Sequence, residues 1–472
     1  MIAVSLALVE MGSIFAAVCA MVIVWLRPWA VRPLELAAVV TQAFALSLFC
    51  VVVFYFNNLY DLRTVPSFAQ FVWRLARSIG VVLILVVGAC LFLPDRLIGE
   101  GLFVWSGLLS VGLVLPLRAV SYAVIRSRPF RERVLILGAS PLAGKLIGEI
   151  EAQPHGRYTI VGVVDDGAVL RETPARYFMA EPLDQLGKIV DLIRPHRIMV
   201  ALAERRGRLP VDQLLEAQMR RIVVEDGVEA YERLTGKLAI EALSPSDLVF
   251  SNDLHKSRFD LIVGRALSLL AAVVGLVVFA PLFGLIALAI KLDSRGPVFF
   301  VQDRVGQWGK PFKLIKFRTM HPCHQTTSEW VGDNRDRVTR VGSWLRKFRL
   351  DELPQFVNIL RSDMNLVGPR PHPVSNFDLF AAKIPLYSFR AIVRPGLTGW
   401  AQIRYGYADN LDEETEKMRY DLYYLKHMSP WFDLRILFET IKVVLQGREP
   451  GDPASRTETR EPRTDAELEP AA

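Results

Sequence analysis

The residues best suited to chemistry gather in one stretch, Arg346-Lys347-Phe348-Arg349-Leu350-Asp351-Glu352-Leu353-Pro354-Gln355. Phe356, Val357 and Leu360 follow and, with Leu353, make an i, i+3, i+4, i+7 apolar stripe, so a helix is expected to start at about Asp351. Pro354 suits its first turn, where backbone N–H groups have no partner within the helix. The positive end of that helix would keep both carboxylates ionised. An ionised Asp can act as the nucleophile of a covalent phosphoryl transfer, and an adjacent Glu can hold the Mg²⁺ that neutralises a pyrophosphate. The plainer reading is an N-cap and a first-turn acid contributing about 1 kcal/mol of helix stability. On spacing alone that plainer reading is the commoner one.

Three further blocks shift the balance. Ser362-Asp363-Met364-Asn365-Leu366-Val367-Gly368-Pro369-Arg370-Pro371-His372-Pro373 is a stiff turn that holds Arg370 between two prolines, suited to bidentate contact with phosphate. Arg394-Pro395-Gly396-Leu397-Thr398-Gly399-Trp400-Ala401-Gln402 is a second rigid turn, with an aromatic. Upstream, Arg295-Gly296-Pro297-Val298-Phe299-Phe300 and Gln302-Asp303-Arg304-Val305-Gly306 lead to Lys316-Phe317-Arg318-Thr319-Met320. His321, Cys323 and His324 have the look of a metal cluster, but Pro322 and the lack of a fourth nearby ligand argue against one.

These blocks need elements to hold them. A hydrophobic share of 51% with a positive mean hydropathy is too apolar for an ordinary soluble protein of 472 residues, so membrane segments are expected. The net charge of +7 is then better matched to anionic headgroups and phosphorylated substrates than to nucleic acid. Cys19, Cys50 and Cys90 lie in apolar runs, which excludes a disulfide framework, and Met1 to Glu10 carry no basic region of a cleaved signal peptide. Apolar runs at 6–26, 34–56, 75–93 and 102–120 each approach the ~20 residues needed to cross the hydrocarbon, and predict a four-helix transmembrane bundle. Arg126, Arg128, Arg131 and Arg133 after the fourth run place both ends of the bundle in the cytoplasm, and Arg63, Arg74 and Arg77 agree, whereas Arg27 and Arg32 do not.

From Arg133 onward, short β-branched runs at Val134–Leu137, Ile160–Val164 and Ile198–Ala201 alternate with helical stretches, the pattern of a Rossmann-like α/β domain. Its first turn, Gly138-Ala139-Ser140-Pro141-Leu142-Ala143-Gly144-Lys145, meets only part of a dinucleotide fingerprint and has the wrong spacing for a P-loop. Asp165 and Asp166 are suited either to a ribose or to a turn. Leu261 to Ile290 is apolar and long enough to span, yet Lys256, Arg258 and Arg265 before it and Lys291, Arg295 and Arg304 after it make both flanks look cytoplasmic. Pro281 offers a break that turns the chain back, so a re-entrant helix is expected, the alternative being a spanning helix with a proline kink. Tyr420, Tyr423, Tyr424, Trp431 and Phe432, mixed with Lys426 and Arg435, read as an interfacial belt or as core packing. Residues 447–472 have the composition of a disordered tail.

Taken together, five blocks from Lys256 to about Leu445 resemble, in order, the bacterial polyprenyl-phosphate hexose-1-phosphate transferases: the apolar run with its proline, GPVFF with QDRVG, KFRTM, RLDELPQ through DMNLVGPRP, and RPGLTGWAQ. The membrane helices and degenerate α/β domain upstream resemble the large subclass of that family. Ala280 before Pro281 and Ser362 before Asp363 depart from the usual Ser and Gly. The resemblance implies a four-helix bundle at 1–125, a Rossmann-like domain at 130–245, and an α-rich monotopic catalytic domain anchored by the re-entrant helix at 255–446. It implies that Asp351 attacks the sugar-bearing phosphate of a UDP-sugar, that Glu352 binds Mg²⁺, and that polyprenyl phosphate, held in membrane lipid, accepts the phosphosugar. Arg318, Arg346 and Arg370 are then candidates for the phosphate oxygens. The expected location is the bacterial cytoplasmic (inner) membrane, with the catalytic domain on its cytoplasmic face. Two other readings are weighed: an NAD-dependent nucleotide-sugar enzyme, for which residues 133 to 240 lack a Tyr-x-x-x-Lys pair beside an intact glycine fingerprint, and a non-catalytic scaffold for polysaccharide machinery. The sugar and the oligomeric state, a homodimer among the options, stay open.

Overall fold

The computed structural model describes residues 2–26, 33–57, 59–60, 72–82, 112–117, 119–120, 131–152, 158–166, 174, 176–204, 207–240, 256–321, 337–406, 408 and 410–446. The described residues divide into two compact units, one drawn from 1–134, 153–161 and 193–197 and the other from 135–152, 162–192 and 198 onward.

In the first unit, helices α1 (Ile2–Leu26) and α2 (Pro33–Phe56) coincide with the first two apolar runs. Ile14 and Val18 of α1 and Ala43 and Phe54 of α2 form a buried cluster with Leu59, Leu75 and Val114. Polar side chains there fold back on their own helices, Ser47 Oγ donating to the Ala43 carbonyl at 2.7 Å, as an apolar setting demands. The third and fourth expected spans fall mostly outside the described residues; 72–82 and 112–117 are helical.

The α/β domain runs β1 (Glu132–Leu137), α3 (Pro141–Glu151), β2 (Tyr158–Asp165), β3 (Phe178–Ala180), α4 (Leu186–Ile193), β4 (Arg197–Val200), α5 (Val211–Met219), β5 (Val223–Asp226) and α6 (Gly227–Thr235). The sheet order β3-β2-β1-β4-β5 is the Rossmann order without its sixth strand, as the alternation of strand and helix patterns predicts. Gly138 takes a φ of +104°, and a Cβ there would meet the backbone of Leu202 at 2.8 Å, so only glycine fits the first turn. The rest of that turn is satisfied by the chain itself. Ser140 Oγ accepts from Ala143 N–H (3.2 Å), Ala139 N–H donates to Asp165 Oδ2 (2.6 Å), and Arg208 pairs with Asp165 (2.8 Å) and Asp166.

The remaining elements are α7 (Arg258–Asp293), the antiparallel hairpin β6 (Phe299–Val305) and β7 (Pro311–Phe317), α8 (Arg340–Lys347), α9 (Gln355–Leu360), β8 (Asn365–Val367), α10 (Val374–Lys383), β9 (Gly396–Thr398), α11 (Trp400–Arg404), α12 (Leu411–His427) and α13 (Pro430–Gln446). Helix α7 is 36 residues, about 54 Å if straight at ~1.5 Å per residue, and is long and apolar enough to cross a membrane. Its helical backbone runs on through Pro281, so the interruption expected at that residue is not present as a gap in the helix.

Yet α7 is packed against one polar domain along its length. Near its start, Arg265 donates to the Ile359 and Met364 carbonyls (2.7 and 2.8 Å) and to Ser362 Oγ (2.8 Å). In its first half Ala272 packs with Phe356 and Ile359; in its second half Ile286 and Ile290 pack with Phe317 and Leu345. At its end Asp293 Oδ2 accepts from Val341 N–H at 3.0 Å. The opposite face leaves Ile262, Leu270, Val277, Val278, Leu285 and Leu288 exposed. Of the expected aromatic belt, Tyr424 is buried, and Tyr420, Tyr423 and Phe432 pack around Trp400 and Ile436. Trp431 is exposed, sharing one face of α13 with Leu434, Phe438 and Ile441.

Candidate active site

Phe317, fully buried and stacked on Phe299 at 5.4 Å between centroids, anchors the end of β7. Thr339 caps α8 by accepting from Gly342 N–H at 2.9 Å. A Cβ on Gly342 would lie 2.1 Å from the Thr319 carbonyl, so α8 rides directly on the chain leaving β7. That contact brings Arg346 to Thr319, its Nε donating to Oγ1 at 3.1 Å.

After α8, Arg349 adopts a left-handed φ of 55° and the chain enters a 3₁₀ turn, Leu350–Glu352. The acidic pair therefore sits on a 3₁₀ turn ahead of a six-residue α9, not on the first turn of the longer helix expected from the apolar stripe. Leu360, one of that stripe, is exposed, while Phe356, Asn358 and Ile359 are buried. Asn358 explains the difference. Its Nδ2 donates to the Lys313 carbonyl (2.7 Å) and its Oδ1 accepts from Ile315 N–H (3.1 Å), so α9 turns a polar residue inward to grip β7.

The two carboxylates live in different fields. Glu352, 6% exposed, accepts from Arg370 at 2.9 Å and lies 3.4 Å from Arg349. Burial by itself would raise its pKa, but these two guanidinium groups outweigh burial and hold it below the usual value. Asp351, 8% exposed, makes no hydrogen bond or ion pair among the described residues. Burial first, and the charge of Glu352 second, push its carboxyl up to about 6, against the pull of Lys316, Arg370 and Arg346. Desolvation and a like charge thus outweigh the helix-end effect on Asp351, yet a carboxyl near 6 is still ionised at neutral pH.

Arg370 bridges, one amine on Glu352 and the other on Gln402 Oε1 at 3.1 Å. Arg346 has no bond from its terminal amines among the described residues and faces the field of Asp351. Arg318 is placed otherwise. Its amines donate to the Ser294 and Arg295 carbonyls (2.8 and 3.1 Å) just past the end of α7, so the guanidinium is engaged by backbone there. Lys316 lies in the field of Asp351. Desolvation and the nearby Arg304 lower its pKa to about 8, and its Nζ lies 5.1 Å from the centre of the Phe300 ring.

Beneath Arg370 lies a buried ionic network. Arg390 donates to Asp421 (2.7 Å), Glu414 (3.2 Å) and the Arg370 carbonyl (3.2 Å), and Lys417 reaches Glu414 at 3.2 Å. His372 Nε2 lies 3.2 Å from Glu414 without hydrogen-bond geometry, and desolvation followed by Arg390 keeps its pKa well below the usual value. Of His321, Cys323 and His324, only His321 is among the described residues, and no group of three or more His, Cys, Asp or Glu poised for a metal occurs among them.

Two family models match the chain: bacterial sugar transferase over residues 259–447 and CoA-binding domain over residues 55–216. The first covers every residue of the site just described. The second covers the glycine turn, where among the described residues Asp165 is engaged by Arg208 and the Ala139 N–H. Over 349 residues the chain is 33% identical to the UDP-glucose:undecaprenyl-phosphate glucose-1-phosphate transferase of Escherichia coli (strain K12), covering 71% of this chain and 73% of that protein. It is 43% identical over 217 residues to a UDP-N-acetylgalactosamine-undecaprenyl-phosphate N-acetylgalactosaminephosphotransferase of Aeromonas hydrophila, spanning 46% of this chain and about half, 51%, of that relative. An undecaprenyl-phosphate glucose phosphotransferase of Komagataeibacter xylinus matches at 32% over 328 residues, 67% of this chain and 59% of its own. On the extent of the E. coli match and the coincidence of the transferase model with the site, the chain belongs to the bacterial sugar transferases, in the group of polyprenyl-phosphate hexose-1-phosphate transferases.

Proposed function

We propose that this chain moves a sugar 1-phosphate from a UDP-sugar to undecaprenyl phosphate, through a phosphosugar carried on Asp351, at the cytoplasmic face of the bacterial cytoplasmic membrane. The product would be the lipid-linked first sugar of an exopolysaccharide or O-antigen repeat. The observation that carries this reading is the asymmetry of the two carboxylates. Glu352 is held by Arg370 and Arg349, while Asp351 beside it is buried and unpaired among the described residues, with Lys316, Arg346 and Arg370 in its field. A carboxylate that is poorly solvated and bonded to nothing is a better nucleophile than one in an ion pair.

In the first step an oxygen of ionised Asp351 attacks the phosphorus bonded to the sugar, the bond from that phosphorus to the UMP oxygen breaks, and UMP leaves with the electron pair. In the second, an oxygen of the lipid phosphate attacks the same phosphorus, forming the diphosphate and returning the carboxylate. Arg370, Arg346 and Lys316 offer positive charge where the phosphoryl oxygens gather it. A like-charged acidic pair flanked by phosphate suits Mg²⁺, which binds through one or two carboxylates plus substrate oxygens rather than a protein cage. Glu352 would hold it, and the ion would supply neutralisation of the pyrophosphate charge.

The acceptor phosphate sits at headgroup level while its chain stays in the leaflet, so the site must lie there too. The packing of one polar domain against the start, middle and end of α7 supports a helix that enters and leaves on one side, since a spanning helix would carry part of that domain through hydrocarbon. The decisive experiment incubates the full-length membrane protein with undecaprenyl phosphate, Mg²⁺ and a panel of UDP-sugars and measures UMP. Asp351→Asn should abolish release, and mass spectrometry of enzyme trapped without acceptor should locate the phosphosugar on Asp351. Normal turnover by the variant ends the assignment. No UMP from any UDP-sugar, with polymer production in cells unchanged by Asp351→Ala, returns the reading to a scaffold.

A further inference from the structure

Between the end of α6 and the acidic pair runs a short line of hydrogen bonds. Trp400 Nε1–H donates to the Gly236 carbonyl at 2.9 Å. Gly236 is the left-handed cap that ends α6, with φ +71°, and a Cβ there would meet the Trp400 ring at 3.0 Å. Trp400 opens the five-residue helix α11, and two residues on Gln402 accepts from Arg370 at 3.1 Å. Arg370 in turn donates to Glu352 at 2.9 Å. Trp400 and Gln402 are each under 5% exposed, so neither bond competes with bulk water.

The backbone repeats the connection. A Cβ on Gly399, just before α11, would lie 2.1 Å from the Gly368 carbonyl, two residues ahead of Arg370, and Gly368 N–H donates to Thr398 at 2.9 Å. The far end is gripped as firmly. Glu232 of α6 pairs with Lys426 at 2.9 Å, Lys237 with Glu416 at 3.2 Å, Leu238 N–H donates to the Arg419 carbonyl at 3.0 Å, and Leu238 is buried against Met418 and Leu422. Helix α11 thus has one side bound to the α/β domain and the other to Arg370.

We propose that the α/β domain serves the reaction by positioning the acidic pair, with Trp400 as the positioning residue acting through Gln402 and Arg370 on Glu352. This rests on the assignment of the pair as catalytic. Without the indole N–H, α11 is free to shift on the Gly236 carbonyl and Arg370 loses the support that aims it.

The test is a double-mutant cycle in the full-length protein, with Trp400→Phe, Gln402→Ala and the pair combined, reading UMP release and KM for the UDP-sugar. Trp400→Phe should lower kcat by roughly tenfold to a hundredfold with KM changed little, and should cost almost nothing further once Gln402 is Ala. Effects that simply multiply, or a Trp400→Phe enzyme with wild-type kcat, overturn the proposal. Should Trp400→Phe not accumulate in membranes, Gly236→Ala displaces the same ring and enters the same cycle. Asp351→Asn, run alongside, separates the two failures: activity in that variant removes the catalytic assignment, whereas an inactive Asp351→Asn with a multiplicative cycle removes the positioning role alone.

Discussion

Arg370 spans two elements that are otherwise apart, donating to Glu352 on the 3₁₀ turn at 2.9 Å and to Gln402 on α11 at 3.1 Å. A lysine has one ammonium and no fork, so Arg370→Lys cannot hold both acceptors. We expect kcat/KM to fall roughly a hundredfold for Arg370→Lys and further for Arg370→Ala, the scale seen when one preorganised donor is removed from a charged site. Steady-state UMP release measures it. A Lys variant at wild-type rate would show that the fork is not used.

The dependence on pH follows from two groups. Asp351, raised to about 6, is active as the anion, so kcat/KM should fall as pH drops through about 6. Lys316, lowered to about 8, gives up its positive charge as pH rises through about 8, so a second loss is expected on the alkaline side. Lys316→Arg keeps the charge and should push the alkaline limb upward. Lys316→Met should lower the plateau and erase that limb, and a limb that persists unchanged would assign it elsewhere.

The network under Arg370 should matter for stability more than for chemistry. Arg390→Met would leave Asp421 and Glu414 buried beside a lone Lys417, and breaking one side of a buried ion network costs about 3–5 kcal/mol. Thermal unfolding in detergent should show a markedly lower midpoint. An unchanged midpoint would mean that the network is solvated in the membrane-bound protein.

Helix α7 makes a topological prediction. Single cysteines at Arg258 and Arg295, placed in a background free of the native ones, should both react with an impermeant maleimide only when the cytoplasmic face is opened. Labelling of one site from each side would establish a spanning helix. In that case the contacts that Arg265 and Asp293 make with one domain could not both be kept.

Local information carried a good part of this protein. The three β-branched runs became β1, β2 and β4 because strand register follows the burial of alternate or continuous apolar residues, and α7 follows from an unbroken apolar run that no single proline interrupts in the folded chain. The turns around Arg370 and Trp400 announced their stiffness through proline and glycine. Tertiary structure alone decided the rest. It turned Asn358 inward and shortened the helix after the acidic pair, spent Arg318 on carbonyls at the end of α7, and brought Lys316 and Gln402 to a site their neighbours in sequence do not reveal. The reason is physical: a side chain's type is fixed by the chain, but which acceptor it meets, and how far water is driven from a carboxylate such as Asp351, depend on residues tens of positions away.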